Sequence, residues 1–188
     1  MWILGITNSF NYLDGVDALC SGAGAIAAFF YTVVLYMTNQ PGLLFLTAAI
    51  AGACVGFIPH NLKRAKMFLG DAGSMFIGFM MAGISLMGDW ASQDIIKISI
   101  PILILGVPIF DMTFTTIMRA AEDKIHNVVE WLEYAGRDHF HHYLMDLGLK
   151  PGGAVMFIWL VGVSLGMTAL LITKESEPLY GVVAILKG

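Results

Sequence analysis

Three short strings in this chain gather side chains that could do chemistry. In N-S-F-N-Y-L-D-G-V-D, residues 8–17, Asn8, Asn11, Asp14 and Asp17 recur at every third position. On a helix that spacing puts neighbours on adjoining turns of one face. Two amides and two carboxylates would then form a polar stripe, with Phe10, Leu13 and Val16 on another face. In F-L-G-D-A-G-S, residues 68–74, Gly70 and Gly73 free the backbone around Asp71 for close approach to a ligand. A single carboxylate there suits a hard cation such as Mg²⁺ (or Mn²⁺) that also binds a substrate diphosphate. Lys63, Arg64 and Lys66, just upstream, would neutralise the remaining phosphate charge. The plainer reading is an Asp that caps a helix N-terminus. In R-D-H-F-H-H, residues 137–142, Arg137, His139, His141 and His142 offer phosphate binding or, taken alone, zinc ligation. No H-E-x-x-H pair favours zinc, and an amphipathic loop helix is the plain alternative. Asp111, after V-P-I-F, is a fourth feature. A carboxylate inside an apolar run costs several kcal/mol unless it is paired or faces a wet cavity. It is therefore expected to point into a cytoplasmic cavity, with a hydrogen-bonding role ahead of a direct chemical one.

The elements that must position these groups are membrane spans. Of 188 residues, 57% are hydrophobic and 13% charged, with a mean hydropathy of +0.76. Soluble domains carry about 25% charged residues. An ordinary soluble domain, a disordered tail and a nucleic-acid arm are thereby excluded, so no nucleic-acid partner is expected. The net charge of −4 defines no partner, and Cys20 and Cys54, without C-x-x-C spacing, read as packing residues. Apolar windows run over Ser21–Met37, Leu43–Ile58, Ala72–Met87, Ile95–Met118 and Ala154–Thr173. A bilayer needs about 20 helical residues, so the first three borrow a few flanking residues to cross. Glycines inside them (Gly22, Gly24, Gly52, Gly56, Gly78, Gly83) allow close helix approach. The expected fold is all-α: one polytopic transmembrane helical bundle over residues 1–188, with about five spans and the start of a sixth at Leu179–Leu186. Both ends read as cut through longer apolar segments, so the chain is expected to be the C-terminal portion of a longer catalytic domain. Lys63, Arg64, Lys66, Arg119, Lys124, Arg137 and Lys150 lie in two loops on one side, against Lys97, Lys174 and Lys187 on or near the other. That asymmetry puts residues 1–20, 60–71 and 119–152 in the cytoplasm as loops. All three motifs then share one face, and a cytoplasmic chamber of carboxylates, Lys, Arg and His around a divalent ion suits phosphoryl transfer to a lipid.

N-x-x-N-x-x-D-G-x-D, F-L-G-D-x-G-S, V-P-x-F-D and R-D-H-x-H-H, in this order from residue 8 to residue 142, resemble the polyprenyl-phosphate N-acetylhexosamine-1-phosphate transferases. These are glycosyltransferase 4 type enzymes related to the phospho-MurNAc-pentapeptide translocase. The histidine string is more similar to the N-acetylhexosamine branch. The resemblance implies a multi-pass enzyme of the inner membrane with its active site on the cytoplasmic face. It would transfer a sugar-1-phosphate from UDP-N-acetylhexosamine to undecaprenyl phosphate or another polyprenyl phosphate, releasing UMP, at the first membrane step of an envelope polysaccharide. By motif position, Asp71 resembles the Mg²⁺ ligand and Phe68 the ring that stacks on uracil. Asn11, Asp14 and Asp17 match the polar wall of the nucleotide site and Asn8 opens that motif, with Asp14, Asp17, Asp71 and His139 as catalytic residues and Asn8 and Asn11 binding substrate. Lys66, Arg137, His141 and His142 fall to substrate binding. A homodimer is left open. Two features of the family are absent: no Asp-Asp pair occurs in the chain, and Glu122–Gly136 departs from the stretch that often precedes the histidines. The alternatives from other classes are a non-enzymatic membrane transporter, which would place polar residues at mid-bilayer, and a zinc-dependent membrane hydrolase.

Overall fold

A computed structural model describes residues 1–62, 65, 67–121 and 139–187, the stretch 174–187 by its backbone alone. Lys66 and Arg137, both expected to bind substrate, lie outside the described residues. Among these residues the chain is all-helical: α1 (Trp2–Leu13), α2 (Leu19–Met37), α3 (Pro41–Asn61), α4 (Gly70–Met87), α5 (Asp94–Ile104), α6 (Gly106–Ala121), α7 (Phe140–Asp146) and α8 (Pro151–Lys187). Within α8 the backbone stays helical through the short apolar run at Leu179–Leu186. Helices α2, α3, α4 and Pro151–Thr173 of α8 are each long and apolar enough to cross a membrane, and α5 with α6 is a sharply bent apolar pair with the length and composition of a broken span or a re-entrant loop. The chain is a multi-pass membrane protein.

The centre of the bundle is α2. Its apolar window is 72% buried, against 17% for that of α3. α2 and α3 form a hairpin in which Thr32 donates to Thr47 at 2.8 Å. Pro41 opens α3 at its first position, where a missing N–H costs nothing. Gln40, just before it, both donates to the Asp89 carbonyl (2.7 Å) and accepts from the Asp89 N–H (2.9 Å), tying the hairpin to the far end of α4.

Two expectations need correction. Residues 1–20 are not a loop. Most of the segment is α1, which runs antiparallel against α4: Trp2 Nε1 donates to Ser85 Oγ (2.7 Å) at one end, and Asn11 Nδ2 to Asp71 Oδ1 (2.9 Å) at the other. Ile6, Phe10 and Leu13 are buried on that helix. The approach is so close that a Cβ on Gly78 would lie 2.8 Å from the Thr7 Cα. A small residue is what lets two backbones meet at that distance. Nor is Ile95–Met118 one straight span. α5 and α6 meet at 76°. Pro108 has no N–H to offer the carbonyl of Ile104, the last residue of α5, and Pro101 removes another donor about two turns earlier. Missing ladder bonds of this kind are the usual cause of a sharp kink.

Candidate active site

Asp71 lies in the first turn of α4, one residue past Gly70. Gly70 is at φ +65°, the left-handed region that favours glycine. The cap position belongs to Leu69, so Asp71 is not the N-cap. Its carboxylate is exposed, and the positive end of the helix dipole favours its charge. Asn11, in the last turn of α1, donates from one amide to both Asp71 Oδ1 (2.9 Å) and Ser74 Oγ (3.1 Å). The Ser74 hydroxyl in turn donates to the Gly70 carbonyl (3.1 Å). Asp14 closes α1 as its C-cap. Burial pushes its carboxyl up to about 6, the backbone N–H of Gly70 pulls it back in part, and the charge of Asp71 adds to the rise. The Phe68 ring, three residues before Asp71, stands 75% exposed.

A second group of side chains comes from α6 and α7. Asp111 is 3% exposed. Its Oδ2 lies 3.1 Å from His139 Nδ1, and its Oδ1 accepts the backbone N–H of Phe140 at 2.9 Å. His139 is the N-cap residue of α7. The Tyr12 ring packs on the imidazole with centroids 4.7 Å apart, and the Arg119 guanidinium sits 5.4 Å above the centre of the Tyr12 ring. Asp111, Thr115 and Arg119 are four residues apart, on one face of α6, and all are buried. His141 is 1% exposed, and both of its ring nitrogens lack a hydrogen-bond partner among the described residues. Burial, then the neighbouring His142, holds its pKa down at about 4, with Asp111 opposing and His139 adding to the fall. The imidazole is therefore neutral at pH 7.

The last turn of α1 and the residues just after it join the two groups. Asn11 bonds Asp71, Tyr12 packs on His139, Asp14 feels the charge of Asp71, and Gly15 lies against His141, whose Nε2 would be 3.3 Å from a Cβ there. Of the expected residues, Asn11, Asp14, Asp71, His139 and His141 thus share one region, and His142 joins through His141 at a ring separation of 4.2 Å. Asp17 does not join them. Helix α1 ends at Leu13, so the three-residue spacing no longer sets a common face, and Asp17 is exposed on the turn. Asn8 is half-buried, and its side-chain nitrogen has no hydrogen-bond partner among the described residues.

Sequence reasoning missed four contributors. Tyr12 and Ser74 lie inside the first two strings but were given no role, and Arg119 stands outside them, though its place two turns after Asp111 on an apolar helix was readable. The fourth is Asn61. Its Oδ1 accepts the Ala18 N–H (2.7 Å), and its Nδ2 donates to the Met67 carbonyl (2.9 Å). One buried amide thus ties the turn after Asp14 to the segment that carries Phe68.

The donor set decides which metal would fit. Among the described residues no three His, Cys, Asp or Glu side chains converge as a metal site, so a zinc centre built from protein ligands finds no support there. Asp71 beside Asp14 and Asn11 is a hard-oxygen cluster whose two carboxylates repel each other, and a divalent cation would relieve that repulsion. Mg²⁺ uses one or two carboxylates and takes its other ligands from phosphate and water. The residues present fit it. Beside Asp111 lies an apolar cavity of about 260 Å³ bordered by Leu13, Phe110, Phe140, Phe157 and Leu165, at the joint of α5 and α6 and against α8.

Residues 1–89 match the family described as glycosyl transferase family 4. The chain is 35% identical over 176 residues to a probable undecaprenyl-phosphate N-acetylglucosaminyl 1-phosphate transferase of Bacillus subtilis, covering 94% of this chain and 48% of that protein. It is 29% identical over 174 residues to a decaprenyl-phosphate N-acetylglucosaminephosphotransferase of Mycobacterium leprae, covering 82% and 42%. A phospho-N-acetylmuramoyl-pentapeptide-transferase of Lactiplantibacillus plantarum is 27% identical over 162 residues, covering 86% and 47%. The chain spans about half the length of the curated relatives it matches.

Proposed function

From the match of residues 1–89 to glycosyl transferase family 4 and the 35% identity to the Bacillus subtilis relative, we propose that the chain belongs to that family and forms part of an enzyme moving N-acetylhexosamine 1-phosphate from UDP-N-acetylhexosamine to undecaprenyl phosphate or a similar polyprenyl phosphate. An oxygen of the lipid phosphate forms a new bond to the sugar-bearing phosphorus of the donor. The bond from that phosphorus to the bridging oxygen of UMP breaks, and UMP leaves with the electron pair. The product is a lipid diphosphate sugar. The site faces the cytoplasm of the inner membrane, where the sugar nucleotide is.

Asp71 would hold a Mg²⁺, with Asn11 fixing one of its oxygens. The ion, when bound there, neutralises charge on the diphosphate. Asp14 keeps a second carboxyl close to the same point. The Phe68 ring offers an exposed face to uracil, since base–aromatic stacking needs no more than a free π surface. His141 and His142, with Arg137, bind phosphate and sugar oxygens. The imidazole of His141 is buried and neutral, and among the described residues neither ring nitrogen has a hydrogen-bond partner, which suits it to a ligand's hydrogen-bonding group. The apolar cavity beside Asp111 takes isoprene units of the acceptor, which reaches it sideways from the bilayer.

The observation that carries this reading is the turn at the end of α1. Asn11 reaches the Asp71 carboxylate and the adjacent Tyr12 packs on His139, so a metal-binding group and a phosphate-binding group stand on two sides of one turn. The test is UMP release from UDP-N-acetylglucosamine by membranes carrying the intact protein, with undecaprenyl phosphate and Mg²⁺. Asp71→Asn should abolish it. Full activity of that variant at saturating Mg²⁺ would contradict the assignment.

A further inference from the structure

Among the described residues bordering the apolar cavity Asp111 is the one that is charged, and it is almost wholly buried. An uncompensated carboxylate in such a place costs several kcal/mol. It is compensated twice. Oδ1 accepts the Phe140 N–H, the first main-chain donor of α7, and Oδ2 meets His139 Nδ1. One side chain of α6 therefore both anchors the start of α7 and grips the imidazole in front of it. Thr115, one turn further along α6, places its hydroxyl 3.3 Å from the same ring nitrogen. The Tyr12 ring covers a face of the imidazole, and the His141 ring lies nearly parallel to it at 5.9 Å.

A carboxylate can only accept, so the proton between Asp111 and His139 resides on Nδ1. That choice leaves Nε2 as the ring nitrogen available to a substrate oxygen. We propose that Asp111 is the positioning residue of this site: it fixes the tautomer and ring orientation of His139, and so acts on transfer through His139. The inference rests on the functional reading above and deepens it.

Asp111→Asn separates this role from simple helix anchoring. The amide oxygen still accepts the Phe140 N–H, while the amide NH₂ turned toward Nδ1 forces the proton to Nε2. Where an Asp orients a catalytic His in serine hydrolases, the same exchange lowers kcat about 10⁴-fold through the wrong tautomer. The measurement is UMP release by the intact protein in membranes, per unit of protein running as a single gel-filtration peak. D111N should lower kcat at least tenfold with KM for UDP-N-acetylglucosamine within twofold, and D111E, which keeps the charge, should recover part of the loss. On a His139→Ala background, D111N should cause no further loss, because a residue that works through His139 has nothing left to position. D111S serves in the same cycle where D111N does not accumulate. Losses that multiply in the double variant, or a D111N enzyme as fast as the wild type, overturn the assignment while leaving the functional reading intact. A folded wild-type protein that releases no UMP overturns both.

Discussion

Asn11 and Asp71 lie sixty residues apart in the chain and 2.9 Å apart in space, amide nitrogen to carboxylate oxygen. The bond exists because α1 runs antiparallel on α4, so its last turn reaches the first turn of that helix. It turns one lobe of Asp71 into a fixed object at the end of a helix whose dipole already favours negative charge.

Asn11→Ala should therefore weaken metal use more than substrate use. Groups that orient a metal-binding side chain are typically worth 10–100-fold in metal affinity. In transfer assays the Mg²⁺ concentration for half-maximal rate should rise at least about tenfold, with the rate at saturating Mg²⁺ largely retained. An unchanged Mg²⁺ dependence would remove Asn11 from the site.

Phe68 predicts a different pattern. If its exposed ring stacks on the base, Phe68→Ala loses about 1–3 kcal/mol of binding, and KM for the sugar nucleotide should rise roughly tenfold while kcat changes little. Phe68→Trp should keep KM near the wild-type value. A fall in kcat alone would mean that the ring does something other than bind the nucleotide.

His141 makes folding sensitive to acid. Its folded-state pKa lies at about 4, below the ordinary 6.5. Between those values the unfolded chain binds a proton that the folded one refuses, so stability falls as pH drops from about 6.5 toward 4 and no further below that. A shift of this size corresponds to about 3 kcal/mol at most. Asp14, whose carboxyl is pushed up to about 6, gains stability over nearly the same window and offsets this loss in the wild type. The His141 contribution is therefore read as a difference: His141→Gln, which cannot titrate, should gain several degrees relative to the wild type in thermal unfolding in detergent on going from about pH 7 to about pH 4.5.

Gly78 tests the packing that sets the site. A Cβ there would lie 2.8 Å from the Thr7 Cα and 2.9 Å from the Phe10 Cβ, so α1 would have to move. Overpacking of this kind costs about 1–3 kcal/mol. Gly78→Ala should reduce the monodisperse fraction on gel filtration and lower transfer in parallel. Gly83→Ala on the same helix meets nothing within 4 Å and should change neither.

Hydropathy alone located α2, α3, α4 and the first part of α8, because a bilayer filters residues by a property each carries individually. It failed where that property was interrupted or too brief. Residues 1–20 looked like a loop because the apolar run at the start of α1 is short and the motif that follows it is polar; burial of Ile6, Phe10 and Leu13 against neighbouring helices holds it as a helix. Ile95–Met118 looked like one span because side-chain hydropathy does not register the backbone donors lost at Pro101 and Pro108. The chemical inventory was equally readable: Asn11, Asp14, Asp71 and the histidines stand out by type and local spacing. Which of them meet was not readable. The partnerships of Asn11 with Asp71, of His139 with Asp111 and of Asn61 with both Ala18 and Met67 join residues far apart or across turns. Asp17, as prominent in its motif as Asp14, is left outside because the helix ends between Leu13 and Asp14. Residue type and short-range spacing are properties of the chain, whereas a hydrogen bond between two helices exists only once their packing has fixed the distance.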